Sequence, residues 1–406
     1  MHAIIGSINY ILLFIALYFE VFLLITYFEY GGGQKNVPEV LPSVSVLVPV
    51  WNEAETVLAT IKSILDLNYP SDKLRVIVID DGSTDNTWHV VQEYVSHPQV
   101  KLLHKDNGGK HTALNYGLEF VDTDMVGCLD ADSFVDREAL MRIVPHFDNP
   151  LVMAVTPSVK VHNPRGVVQL MQKVEYSFGI LLRNMLSKLD ALYITPGPFS
   201  IFRRGVFTEL GGYREAHKTE DMEIAMRIQS AGYKIANAPD AFIYTVPPKG
   251  IRALYKQRLR WTYGFIRNAF DYRHMFWNPR FGHLGVMILP IASASLLTSL
   301  YAFGYNITTR VMDIFNKAVE WNTVGLHWSL PSFDLFFVNT SIMWILGLTT
   351  LFGSLVLIMM GRKMADGHAR PGLDLIYFLL LYSLIAPFWI GKALYNAILA
   401  KETTWR

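Results

Sequence analysis

The chain has 406 residues, 51% of them hydrophobic, and its 36 Lys and Arg against 35 Asp and Glu leave a net charge of +1. A charged fraction of only 17% excludes a disordered chain, and a near-neutral charge with no basic tract excludes nucleic acid as the main partner. The single cysteine, Cys128, excludes a disulfide framework or a multi-cysteine metal site, and fits a cytosolic soluble part.

The first predicted element is a membrane helix over 1–30. Ala3 to Phe28 is apolar except for Glu20, and about 20 such residues cross a hydrocarbon core. No Lys or Arg precedes Lys35, so the basic start of a signal peptide is missing. The text then turns globular. Val44–Val50 reads as a buried parallel strand, followed by a helix from Glu53 to Leu65. Leu74–Asp80 is a second strand and ends in Asp80-Asp81-Gly82-Ser83-Thr84-Asp85, where Ser83 or Thr84 can cap the next helix. Val100–His104 and Met125–Leu129 complete four strands, the last running into Asp130-Ala131-Asp132. Strands alternating with helices predict an α/β fold with an open, mostly parallel sheet. Such sheets bind ligands at the carboxyl ends of their strands. Three of those ends carry Asn52-Glu53, Asp80-Asp81 and Asp130-x-Asp132.

Neither G-x-G-x-x-G after the first strand nor G-x-x-x-x-G-K-[ST] occurs, so a dinucleotide fold and a P-loop are unsupported. Acidic turns suit hydroxyls, an amide edge or a divalent cation. Oxygen ligands of the Asp130/Asp132 kind suit Mg²⁺ or Mn²⁺, although a lone D-x-D is common in surface turns.

Residues 250–280 predict an amphipathic interface helix. Leu254, Leu259, Trp261, Phe265 and Phe270 alternate there with Arg252, Lys256, Arg258, Arg260 and Arg267. Three further membrane spans follow at 284–305, 335–360 and 373–400. Arg267, Arg273 and Arg280, with Arg362, Lys363 and Arg370, orient the globular body and the last short loop toward the cytosol. The segment 306–332 is then an outer loop with Trp321 and Trp328 at the interface, and Lys392 snorkels. Lys401 and Arg406 slightly oppose this topology.

Six motifs occur in order: Pro49-Val50-Trp51-Asn52-Glu53, Asp80-Asp81-Gly82-Ser83, Asn107-Gly108-Gly109-Lys110, Asp130-Ala131-Asp132, Thr219-Glu220-Asp221 and Gln257-x-x-Arg260-Trp261. Together they resemble the inverting family 2 glycosyltransferases of GT-A fold. The last motif resembles in particular the membrane-embedded processive synthases of cellulose, chitin, hyaluronan and poly-N-acetylglucosamine. The resemblance implies a cytosolic GT-A domain over 40–249 in a multi-pass cell-membrane protein.

By position, the resemblance implies that Pro49, Trp51 and Glu53 line a uridine pocket, with Trp51 standing where the family often has Tyr. It implies that Asp80 and Asp81 hold uracil and ribose, that Lys110 approaches the nucleotide, and that Asp130 and Asp132 hold the metal against the diphosphate. Asp221 is the implied general base, with Glu220 beside it on the acceptor side. Gln257 and Arg260 meet the diphosphate, and Trp261 and Gly197 face the acceptor. The implied partners are a UDP-sugar donor, UDP-N-acetylglucosamine foremost, a glycan or lipid acceptor, and membrane lipid. An accessory protein or a homo-oligomer is left open, as is a sensor or translocation subunit without catalysis. Such chemistry suits these residue types: a carboxylate takes the proton of the attacking hydroxyl, while cations stabilise the departing diphosphate.

Overall fold

The structure, a computed structural model, describes residues 2–29, 35–324 and 341–400. Eight strands form one sheet: β1 Val44–Val50, β2 Leu74–Asp81, β3 Val100–Lys105, β4 Met125–Cys128, β5 Ser133–Val135, β6 Val152–Val161, β7 Ser200–Arg203 and β8 Lys234–Thr245. Their spatial order is β3-β2-β1-β4-β7-β6-β8-β5. β1 pairs in parallel with β2 and β4, and β2 with β3. The sequence-predicted strands are therefore present and parallel. The sheet as a whole is mixed, because β7 runs antiparallel to both β4 and β6, and β5 antiparallel to β8. Those later strands carry weak local signals: β5 is three residues long, and β8 contains Pro239 and Asp240.

Valines and isoleucines alternate across the sheet. Val46, Val48, Ile61 and Leu140 lie in the core on one face, and Leu47, Ile77, Ile79 and Leu114 on the other. Helix α2, Val57–Leu65, packs on the first face; α3, Lys110–Leu118, and α5, Glu220–Ser230, pack on the second. α2 starts four residues later than expected. Asn52 takes φ +56, so the chain turns sharply there, and Glu53–Thr56 close as a turn on the Glu53 carbonyl before the helix begins.

Helix α4, Gly166–Lys188, lies between the sheet and the apolar helices. Its Leu181 and Met185 pack with Leu23 of α1, His2–Glu29, and Leu357 of α8, Ile342–Asp366. The backbone of α8 at Gly361 approaches so closely that a Cβ there would stand 3.1 Å from Phe178 Cα. α6, Ile251–Asp271, is the amphipathic helix, and it leads to α7, Leu289–Val324. The last apolar stretch comprises α9, Leu373–Tyr377, a π-helical turn at Phe378–Tyr382, and α10, Ser383–Ile398. A matching π turn at Leu284–Ile288 precedes α7. Each wide turn lies just ahead of a proline, Pro290 or Pro387, whose ring crowds the carbonyl one turn back.

Among the described residues, four helical segments are long and apolar enough to cross a membrane: Gly6–Glu29, Leu284–Thr323, Ile342–Asp366 and Leu373–Ile398. The second runs on as helix past the expected end at 305, through residues 306–324 expected to belong to an outer loop. Residues 306–324 contain no Gly or Pro, so nothing stops the helix after Tyr305. Residues 1, 30–34, 325–340 and 401–406 lie outside the described residues, and with them Trp328, Lys401, Arg406 and the first part of the span expected at 335–360. Glu20 accepts a hydrogen bond from Ser354 and so ties α1 to α8.

Candidate active site

The strand ends predicted to converge do converge. In register, Val50 at the end of β1 sits beside Asp80 of β2, and Asp81 beside Lys105 of β3. Asp80 is fully buried and accepts hydrogen bonds from His104 Nδ1 at 2.7 Å and Ser83 N at 3.4 Å. Asp81, 3% exposed, accepts from Lys105 Nζ at 2.7 Å, Gly108 N at 3.1 Å and Gly109 N at 2.8 Å. Both carboxylates thus face their own loops. Asp81 pins the Asn107–Gly109 turn, and that turn delivers Lys110 as the first residue of α3. Asn52 does the same for the loop after β2: its Oδ1 accepts from Thr84 N at 2.8 Å, and Glu53 N donates to Thr87 Oγ1 at 2.8 Å. Pro49, Trp51 and Glu53 are half-buried on this rim.

Lys110 is the hub. Its Nζ lies 2.6 Å from Asp130 Oδ1, beyond β4, and 3.1 Å from Glu220 Oε1, in the first turn of α5. Burial works against its charge, yet the two carboxylates hold its pKa well above the usual lysine value. Glu220 is likewise disfavoured as an anion by burial, but Lys110 prevails and its pKa is lowered. At Asp221 the balance differs: burial, reinforced by the charge of Glu220, pushes its carboxyl up to about 6, against the opposing pull of Lys110 and Arg260. A helix N-terminus favours these anions, and Asp221 Oδ1 accepts from Met222 N at 2.9 Å.

Asp132 is pushed up to about 6, first by burial and then by the charge of Asp130, with Glu53 also adding to the rise. Two carboxylates that repel in one turn make a donor set that a divalent cation would relieve. Among the described residues no group of three or more His, Cys, Asp or Glu is placed to hold a metal. The pair therefore fits an ion such as Mg²⁺, which takes one or two carboxylates and completes its shell with phosphates and water.

The loop 195–200 joins the two acidic elements. Thr195 donates through N (3.2 Å) and Oγ1 (2.7 Å) to the Asp221 carbonyl, and Phe199 N donates to the Cys128 carbonyl at 2.5 Å. Between them sits Gly197, where a Cβ would stand 2.9 Å from Lys110 Nζ and 3.1 Å from Asp130 Oδ2. No side chain fits there without displacing both groups. The third side of the cleft is α6. Asn268 Nδ2 donates to Thr219 Oγ1 at 2.8 Å, fixing α6 to the start of α5. Arg260 is near enough to Asp221 and Glu220 to pull on both carboxyls. Gln257 Oε1 is buried with no hydrogen-bond partner among the described residues, an acceptor left for something not protein. Trp261 is 37% exposed, with the Arg258 guanidinium 4.2 Å from its ring centre.

Geometry thus gathers Glu53, Lys110, Asp130, Asp132, Gly197, Glu220, Asp221 and Arg260 within mutual electrostatic or steric reach, and α6 carries Gln257 and Trp261 on from Arg260. Sequence reasoning misses Lys105, which only the register sets opposite Asp81; it reads His104 as structural or near-site, and the stretch from Thr195 to Ser200 as resembling an acceptor-side loop. Cys128 is a buried thiol, as its apolar neighbours suggest. Among the described residues, a cavity of about 570 Å³ is lined by Arg214, His217 and Asp271, and another of about 550 Å³ by Lys160, Lys173 and Tyr176.

A family model described as "Glycosyltransferase like family 2" matches residues 42–264, more than half of the chain. A poly-beta-1,6-N-acetyl-D-glucosamine synthase of Staphylococcus epidermidis is 31% identical over 234 residues, 57% of this chain and 56% of the relative. The Staphylococcus aureus (strain COL) protein of the same name is 30% identical over 233 residues, 56% of each. The chain thus spans about half the length of the curated relatives it matches. Among solved structures, a mannosyltransferase from Pyrobaculum calidifontis in complex with GDP-Man and Mn²⁺ shares the fold. That match has a TM-score of 0.60 and 21% identity, and covers 97% of this chain and 99% of the other.

Proposed function

The chain belongs to the glycosyltransferase-like family 2, and on that premise we propose that it is a membrane-bound inverting glycosyltransferase that extends a β-linked polysaccharide from UDP-N-acetylglucosamine and passes it through its own apolar helices. The observation that carries the reading is Asp221. Its carboxyl, at about 6, is poised to be ionised yet basic near neutral pH, at the edge of a cleft that holds Lys110, Arg260 and the Asp130/Asp132 pair. Asp221 accepts the proton of the acceptor hydroxyl as the new C–O bond forms at the anomeric carbon. The bond from that carbon to the UDP oxygen breaks on the opposite face, so an α-linked donor gives a β-linkage. Lys110 and Arg260 offset the charge gathering on the leaving diphosphate. Asp130 and Asp132 would hold Mg²⁺ or Mn²⁺, which when bound stabilises that same charge.

Pro49, Trp51 and Glu53 border the nucleotide side, with Asp80 and Asp81 beneath it holding the loops in place. Gln257 offers its free acceptor there, and Gly197, Glu220 and Trp261 border the acceptor. The printed names of the staphylococcal relatives support N-acetylglucosamine as the sugar. A cytosolic catalytic body agrees with the basic residues flanking the helices.

The test is a panel of radiolabelled nucleotide sugars offered to the purified full chain with Mg²⁺ or Mn²⁺. Polymer retained at the gel origin from UDP-N-acetylglucosamine is the expected result. A single lipid-soluble product would replace the polysaccharide reading with transfer to a lipid. No transfer from any donor, in wild type and Asp221→Asn alike, would favour a non-catalytic sensor or translocation subunit.

A further inference from the structure

Trp261 is the most exposed residue of its motif, yet one face of its indole is covered. The guanidinium of Arg258, one helical turn back on α6, stands 4.2 Å from the ring centre. Arg258 is itself only 3% exposed. Its Nη2 donates to Glu175 Oε2 at 2.7 Å, across to α4. Glu175 has a second partner from a third element: Tyr382 O–H donates to Glu175 Oε1 at 3.3 Å. Tyr382 is the last residue of the π turn in the fourth apolar segment, and it packs edge-on against Trp389 at 5.5 Å. Tyr255 and Leu259, on the flanks of Arg258 along α6, join Trp389 and Tyr382 in one apolar cluster.

Each link has a physical reason. A long arginine side chain has many rotamers, and a cation beneath an aromatic face holds the ring only if the cation is itself fixed. Glu175 provides that: a charge-assisted hydrogen bond, largely out of water, keeps the guanidinium in one place. The π turn matters because a straight α-helix would rotate Tyr382 off its present face. The extra residue in the turn aims the hydroxyl at Glu175 instead.

We propose that Glu175 is a positioning residue for the acceptor: it fixes Arg258 beneath Trp261, and through Tyr382 it ties the acceptor platform to the fourth membrane-spanning segment. The inference rests on the reading of Trp261 as that platform. It goes further by assigning the side chains that hold the indole flat and by linking the platform to the part of the chain through which the product leaves. No proton, electron or bond is exchanged in this relay.

The experiment compares wild type, Glu175→Gln, Glu175→Asp and Tyr382→Phe, each as the full chain in lipid nanodiscs. UDP-N-acetylglucosamine is the donor and a β-linked N-acetylglucosamine oligosaccharide the acceptor. Glu175→Gln keeps the shape but weakens the grip on Arg258. It is expected to raise the acceptor KM about tenfold while leaving the donor KM unchanged. Glu175→Asp, which keeps the charge, restores most of the difference, and Tyr382→Phe raises the acceptor KM about threefold. Equal acceptor KM values in wild type and Glu175→Gln overturn the proposal. So does a parallel loss in both KM values that Glu175→Asp does not rescue, since that pattern marks a merely structural contact. A wild type that uses another nucleotide sugar corrects the donor alone, and the same four proteins are then compared with that sugar. A wild type inert with every donor overturns the transferase reading and this inference together.

Discussion

The ammonium of Lys110 and the carboxylate of Asp130 meet at 2.6 Å, although twenty residues and a full strand separate them in the chain. A third group, Glu220 of α5, completes the contact at 3.1 Å. One cation therefore holds the acidic turn after β4 and the start of the helix that bears Asp221. Replacing Lys110 with Met keeps the apolar stem and removes the charge. Asp130 and Glu220 are then left without their counter-charge, which costs about 1–3 kcal/mol of stability. Transfer is expected to fall by at least about 10²-fold, because the leaving diphosphate loses a cation. Steady-state rates with thermal denaturation check both, and a Met variant of wild-type activity would remove Lys110 from the site.

The pH dependence follows from Asp221. A general base must be ionised, so kcat/KM is expected to fall as pH drops below about 6, the value to which burial and Glu220 push this carboxyl. Glu220→Gln removes the like charge and leaves the burial. The acidic limb should then move down by about half a unit to one unit. A limb that stays in place in the variant would show that Glu220 does not act on the base.

The same carboxyl sets a stability prediction of opposite sign to activity. Its folded pKa lies above the unfolded value, so ionising it is harder in the folded chain. The penalty is absent below the unfolded carboxylate range near pH 4. It grows as pH rises toward about 6 and is full above that. Asp221→Asn is therefore expected to abolish transfer and, at pH 7 to 8, to stabilise the fold by on the order of 1 kcal/mol after allowing for solvent screening. Thermal melts at pH 5 and pH 8 test it: the gain should shrink at the lower pH.

Gly197 makes a steric prediction. A methyl group there falls 2.9 Å from Lys110 Nζ and 3.1 Å from Asp130 Oδ2. Gly197→Ala should cost less stability than Lys110→Met, since the lysine end is displaced but keeps its charge near Asp130 and Glu220. Its transfer rate should drop about tenfold or more, since a displacement of about 1 Å at a catalytic group is costly. Full activity in Gly197→Ala would mean that the loop yields instead.

Much of this was legible in the sequence because its signals are local. Val-rich strands that end in Asp80-Asp81 or Asp130-x-Asp132 announce both the sheet and its acidic edge within a few residues. What stayed hidden depends on contacts between distant segments. β7 inserts antiparallel between β4 and β6, which no pattern in Ser200–Arg203 foretells, and by doing so it brings Phe199 onto the Cys128 carbonyl. Lys105 reads as the tail of an ordinary strand until the register sets it opposite Asp81. The length of α7 was not legible from the apolar run, because apolar content marks where a helix can sit in lipid, whereas Gly and Pro mark where it stops.

The near-touching backbones of Gly361 and Phe178 leave α8 and α4 no room to slide. With Glu175 on that same α4, a change in the tilt of α8 is carried to Arg258 on α6. On the membrane-bound reading proposed above, bilayer thickness then becomes a variable to which the cleft responds, without touching a single group in the cleft itself.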